Sequence, residues 1–186
     1  MSEYQSIMTE VDGSVGILTL NKPKRHNAFD EQLIAEITVG LQELESDERV
    51  RAVVLSSTGK SFCAGADLGW MKRAADYTPE ENLRDANRLA ELMSTLNELA
   101  KPTIARVQGA AYGGGVGLIA ACDIAVGTYD ALFTLSEVKL GIVPAVISPY
   151  VLAAIGERYS RRYMLTAERF SAAEAYRIGL LHELVP

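Results

Sequence analysis

Hydrophobic positions in this chain fall into short runs separated by polar, glycine-marked or proline-marked breaks. Val15-Gly16-Ile17-Leu18-Thr19-Leu20 has strand composition, and Asn21-Lys22-Pro23-Lys24-Arg25 is a polar turn. Asp30 has helix-capping chemistry, and Leu33, Ile34, Ile37, Leu41 and Leu44 recur behind it at helical spacing. Arg51 to Ser56 is a short apolar run of the kind found in buried parallel strands. A glycine-punctuated loop follows over Ser57 to Gly65, then a helix from about Leu68. Pro79 opens a long helix with Leu83, Ala86, Leu89, Ala90, Met93 and Leu96 on one face, and Lys101-Pro102 closes it. Thr103 to Val107 reads as a strand, Gly113 to Gly115 leads into a small-residue helix ending near Cys122, and Asp123 to Val126 and Ala131 to Thr134 are further strands. Helices around Ser148 to Ile155, Tyr159 to Leu165 and Ala172 to Ile178 precede a last strand over His182 to Val185. Strand–helix–strand alternation implies parallel crossover units, so the expected class is α/β, with one domain over residues 1–186.

Composition narrows the function. Hydrophobic residues make up 48% and charged residues 23% of the 186, an ordinary globular mix. The net charge of −6 disfavours a nucleic-acid surface, which needs a basic stripe, but leaves room for a local basic site on a phosphorylated ligand. Cys63 and Cys122 lack zinc spacing and do not form a CxxC, so reduced buried thiols are expected. Met1-Ser2-Glu3-Tyr4-Gln5 has no basic or apolar leader character, and no apolar run approaches the ~18 residues that span a membrane. A cytoplasmic protein with no membrane partner is the expectation.

Three segments carry chemistry. Ser61-Phe62-Cys63-Ala64-Gly65-Ala66-Asp67-Leu68 lies between a strand and a helix start, where backbone N–H groups have no intrahelical partner. Gln108 to Gly117, with Gly113-Gly114-Gly115, repeats that context; it fits neither the dinucleotide fingerprint nor a P-loop. One N–H from each segment would form an oxyanion hole, worth about 3 kcal/mol per donor in a transition state. In the third segment Glu137 stands among apolar neighbours near Gly141 and Pro144, and a dry setting would suit it to general acid/base work. Taken singly, each segment also has a plain structural reading: a capped turn, glycines for close helix packing, and a glutamate paired with Lys139.

Together and in this order, the segments resemble the crotonase (enoyl-CoA hydratase/isomerase) superfamily. Asn21-Lys22-Pro23 to Asn27-Ala28, Cys63-Ala64-Gly65-Ala66-Asp67, Gly113-Gly114-Gly115, Cys122-Asp123-Ile124, and Glu137 with Gly141 and Pro144 all fit. The resemblance implies a crotonase-like spiral of ββα units, shorter at the C-terminus than is usual in the family. It implies an acyl-CoA substrate with no separate cofactor and no metal, and a homotrimer or dimer of trimers. The oxyanion donors fall on Ala66 and Gly114 and the acid/base on Glu137. Coenzyme A contacts fall on Lys24, Arg25, Ala28, Ala66, Asp67 and Leu68.

Two departures refine this. Gly117 stands where such hydratases commonly carry the first of two glutamates, and Ala145 to Tyr150 replaces a glycine-rich turn. With Asp67-Leu68-Gly69-Trp70-Met71-Lys72-Arg73, these features resemble the branch containing methylglutaconyl-CoA and carboxygeranoyl-CoA hydratases. The expected activity is hydration of a 3-methylglutaconyl-CoA-type thioester, in leucine or acyclic terpene degradation. The expected pocket involves Trp70, Tyr112, Gly117 and Ser148, with Lys72 or Arg73 as further partners of a substrate carboxylate. The space at Gly117 is expected to receive that carboxylate or a water. A Δ3,Δ2-enoyl-CoA isomerase, needing one carboxylate, is the alternative enzyme, and a non-catalytic coenzyme A-binding fragment the alternative of another class.

Overall fold

The computed structural model describes residues 4–186. A hairpin of β1 (Ile7–Asp12) and β2 (Val15–Leu20) leads through a polar loop to α1 (Glu31–Ser46). Three strand–strand–helix units follow. The first is β3 (Ala52–Ser57), β4 (Ser61–Cys63), α2 (Leu68–Ala74) and α3 (Pro79–Asn97). The second is β5 (Thr103–Val107), β6 (Ala110–Tyr112) and α4 (Gly114–Ala121). The third is β7 (Ile124–Thr128), β8 (Leu132–Thr134) and α5 (Ser148–Thr166). The described chain closes with β9 (Phe170–Ser171), α6 (Ala172–Arg177) and β10 (Glu183–Val185).

The first strand of each unit joins a large sheet of order β1-β2-β3-β5-β7-β10, and the second joins a small sheet of order β4-β6-β8-β9. All pairings are parallel except β1 with β2 and β8 with β9. Successive units therefore stack as turns of a ββα spiral. The C-terminal ends of β4, β6 and β8 share one edge of the small sheet, and the three chemistry-bearing segments leave from that edge.

The sequence pattern anticipates the large sheet and its helices. Asp30 accepts from Leu33 N–H at 2.9 Å, and the α1 stripe Leu33, Ile34, Ile37, Leu41 and Leu44 is buried in the core. At α5, Gly156 (φ 75°) breaks the helical backbone, which matches the two helices expected over this stretch. Strands β4 and β6, in glycine-rich loop sequence, are additions, as are β1 and β9. The apolar stripe of α3 needs correction: Leu83 is 63% exposed and Ala86 and Ala90 are exposed as well. Only the C-terminal half of the helix packs on α1 and α4, and there Leu92, Met93 and Leu96 are buried. Among the described residues no helix is long and apolar enough to cross a membrane. Cys63 is buried, Cys122 half-buried, and both are free.

Candidate active site

The loop before α1 is built around Asn27, which is fully buried at a left-handed φ of 53°. Its side chain donates to Thr58 O (2.9 Å) and Ser61 O (3.0 Å) and accepts from Lys22 N–H (2.8 Å). These bonds fasten residues 22–28 against the chain entering β4. Lys24 and Arg25 stay exposed on the loop, while Ala28 is buried. Arg25 reaches the Asp67 carboxylate at 3.5 Å. Asp67 also caps α2, accepting from Trp70 N–H at 3.0 Å. The expected coenzyme A residues thus lie along one connected rim, with Leu68 70% exposed on it.

Beyond β4, Phe29 N–H donates to Gly65 O (2.7 Å) and Asp67 N–H donates to Phe29 O (2.8 Å). This parallel bridge pairs Phe29 with Ala66. In such a bridge the flanking residues make the bonds, so the Ala66 N–H points away from Phe29. Gly114 is the first residue of α4, where an N–H has no intrahelical acceptor. Among the described residues neither N–H has a protein partner. The two segments touch: a Cβ on Gly65 would lie 2.9 Å from Tyr112 O and 3.8 Å from Gly113 Cα. At φ 83°, Gly65 has the left-handed backbone and the close approach that this crossing requires.

Glu137 begins a 3-10 turn over Glu137–Leu140, just past β8. Gly113, held by its N–H bond to Thr134 O (2.9 Å), would place a Cβ 2.9 Å from Glu137 Oε1. The carboxylate therefore rests against the residue preceding Gly114. Its Oε2 is the buried side-chain polar atom without a hydrogen-bond partner among the described residues. Burial raises the Glu137 pKa, against an opposing backbone hydrogen bond. By contrast, Cys63, fully buried beside Gly115, has its thiol pushed up to about 12 and is inert as a nucleophile at neutral pH.

The vacancy expected at Gly117 is absent. A Cβ there would meet Ile147 Cγ2 at 2.4 Å, Ile147 Cβ at 2.8 Å and Met93 Cε at 3.3 Å. Gly117 is buried and its open face is packed by hydrocarbon, leaving no room for a carboxylate or water. Other expected pocket residues are engaged locally. Trp70 Nε1–H donates to Asp85 (3.0 Å), the Tyr112 ring lies under Arg169 at 5.7 Å, and Ser148 Oγ–H donates to Ala145 O (3.0 Å). Arg73 is paired with Glu31 at 2.9 Å, whereas Lys72 is exposed on the same helix. Sequence reasoning overlooked Phe29, Ile147 and Met93. A signal existed for Phe29: an apolar residue just before a capping Asp, with Ile34 at the fourth helical position, is a hydrophobic-staple pattern.

Comparison with known proteins adds a second line of observation. Residues 10–186 match the family model for enoyl-CoA hydratase/isomerase. The crystal structure of an enoyl-CoA hydratase from Shewanella pealeana superposes with a TM-score of 0.97 at 48% identity, covering 98% of this chain and 69% of that one. An enoyl-CoA hydratase structure from Mycobacterium smegmatis gives 0.92 at 35% identity, over 97% of this chain and 70% of that one. A hydroxycinnamoyl-CoA hydratase-lyase of Pseudomonas fluorescens is 33% identical over 186 residues, covering 98% of this chain and 67% of that protein.

Proposed function

This chain belongs to the enoyl-CoA hydratase/isomerase family, and on that premise we propose that it adds water across the α,β double bond of an acyl-CoA thioester. The observation that carries the proposal is the unpartnered, buried Oε2 of Glu137 beside the glycine that precedes the Gly114 donor. In the proposed reaction, Glu137 takes a proton from water as the oxygen bonds to Cβ. The double-bond electrons move onto the thioester oxygen, where the Ala66 and Gly114 N–H groups receive them. The protonated Glu137 then delivers its proton to Cα and the carbonyl re-forms. One carboxylate serves both steps because the Gly117 face is closed by Ile147. Lys24 and Arg25, exposed on the rim, are the proposed partners of the nucleotide phosphates.

The proposed acyl group is a branched, glutaconyl-type one, on the resemblance of Asp67 to Arg73 combined with Gly117. Lys72 is a candidate for the distal carboxylate; Arg73 is already paired with Glu31. A specific observation also favours the second reading, Δ3,Δ2-enoyl isomerisation: a lone carboxylate suffices to move a proton between two carbons. Assembly into a homotrimer or dimer of trimers is part of the same proposal and rests on the family resemblance alone.

Turnover of crotonyl-, 3-methylglutaconyl- and isohexenylglutaconyl-CoA tests the reading. Hydration bleaches the conjugated enoyl absorbance, and isomerisation of a 3-enoyl thioester creates it. A chain that turns over none of these and binds no coenzyme A would overturn both readings.

A further inference from the structure

Phe29 touches both halves of the oxyanion hole by different means. Its backbone brackets Ala66, accepting from Asp67 N–H and donating to Gly65 O, and so sets which way the Ala66 N–H points. Its ring covers Gly114: a Cβ there would lie 2.5 Å from Phe29 Cε2 and 2.9 Å from Cδ2. The residue is 1% exposed. It is followed directly by Asp30, whose carboxylate caps α1 and is paired with Lys22. The ring therefore cannot slide along the chain without disturbing a helix cap and a buried loop.

We propose that Phe29 is a positioning residue that fixes the separation and direction of the Ala66 and Gly114 N–H donors. The inference rests on the acyl-CoA reading above. Two donors on different segments stabilise an enolate only if both aim at one point, and misplacement by about 1 Å costs on the order of a hundredfold in rate. The β4–β6 pairing and the Gly65–Tyr112 crossing hold the two segments together, and the Phe29 ring adds a side-chain contact against Gly114 itself.

The test uses Phe29→Leu and Phe29→Met, which keep apolar volume but lose the flat ring, with Leu41→Val, a buried α1 substitution away from the site, as the stability control. Bound cinnamoyl-CoA reports carbonyl polarisation as a shift of its absorption to longer wavelength. The unsubstituted protein is expected to show the shift. Each Phe29 variant is expected to bind with KM and Kd within about threefold, lose much of the shift, and lose roughly ten- to a hundredfold in kcat. Leu41→Val should retain both shift and kcat. Gly114→Ala, which collides with the ring in the parent, should cost less in the Phe29→Leu background. A folded Phe29→Leu or Phe29→Met protein with the parent's shift and kcat overturns the inference and leaves the acyl-CoA reading intact. Absence of any shift or binding in the unsubstituted protein overturns that reading, and this inference with it.

Discussion

Replacing Gly117 by Glu would install a second carboxylate at the position where hydratases of this family commonly have one, and the packing around Gly117 gives the outcome. The new Cβ would stand 2.4 Å from Ile147 Cγ2 and 2.8 Å from Ile147 Cβ. Rotating the Ile147 side chain relieves the first contact but not the second, so the backbone entering α5 must move. Overpacking of this kind costs about 1–3 kcal/mol. For a chain of 186 residues that corresponds to a fall in Tm of roughly 2–12 °C. The new side chain would also enter beside the hydrocarbon of Ile147 and Met93 at a buried position, adding a desolvation cost for its carboxylate. Ile147→Ala alone, at a residue 3% exposed, should cost about 2–5 kcal/mol through the cavity it leaves. Combined, the two changes should relieve each other, with a coupling of about 0.5–3 kcal/mol in the favourable direction. Urea unfolding of the four proteins measures the cycle, and crotonyl-CoA hydration by the double variant asks whether the restored space restores two-carboxylate chemistry. Additive losses, or a Gly117→Glu protein as stable as the parent, would refute the assignment of Ile147 as the group filling that face.

Other substitutions probe the remaining parts of the site. Glu137→Gln should lower kcat by about 10²–10⁴-fold in the hydration assay. Because burial raises the Glu137 pKa above its ordinary 4.5, the protonated form is favoured by folding, and its contribution to stability fades as pH rises through the raised pKa. Glu137→Gln should accordingly gain stability over the parent in mildly alkaline urea titrations and lose that advantage below pH 4.5. Gly113→Ala would place a methyl 2.9 Å from Glu137 Oε1 at a left-handed φ of 49°, so kcat should drop and the acid limb of the pH–rate profile should move. Asn27→Ala leaves Thr58 O without its side-chain donor and Lys22 N–H without its acceptor, while Ser61 O keeps Ser57 Oγ–H as a donor; a loss of about 1–3 kcal/mol by urea unfolding is expected, with a raised KM for acyl-CoA.

What was legible in the chain depended on whether the determinant was local. The α1 stripe and its Asp30 cap lie within one helix, so periodicity finds them. Strands β4 and β6 have three residues each, too few to show a period, and exist because neighbouring chain pairs with them. The α3 stripe was right as a pattern and wrong as burial: periodicity says which face is apolar, not how far along the helix a partner extends. The site shows the same division. Ala66, Gly114 and Glu137 stand in sequence contexts that describe their own backbone or surroundings. Ile147 fills the Gly117 face from the far side of β7 and β8, and the Phe29 ring reaches Gly114 from before α1. Neither contact has a local trace: the sequence shows the missing side chain at Gly117 but not the distant Ile147 that fills its place.

That filled face bears on the reaction's pH dependence. The proposed donors at Ala66 and Gly114 are backbone N–H groups, which do not titrate. If two carboxylates shared the work, one would need to be ionised and the other protonated, and kcat/KM would be bell-shaped. In the proposed mechanism Ile147 excludes the second, and Glu137 passes through both states within one turnover: ionised to receive the proton from water, protonated to return it to Cα. The free enzyme then needs only ionised Glu137, so kcat/KM should rise with pH through the raised Glu137 pKa and level off. The profile should have a single ionisation, displaced upward from 4.5, and Glu137→Gln should abolish it. Measuring kcat/KM across the range in which the protein stays folded decides the point. A descending alkaline limb there would require a second titrating group, and the single-carboxylate mechanism would fail.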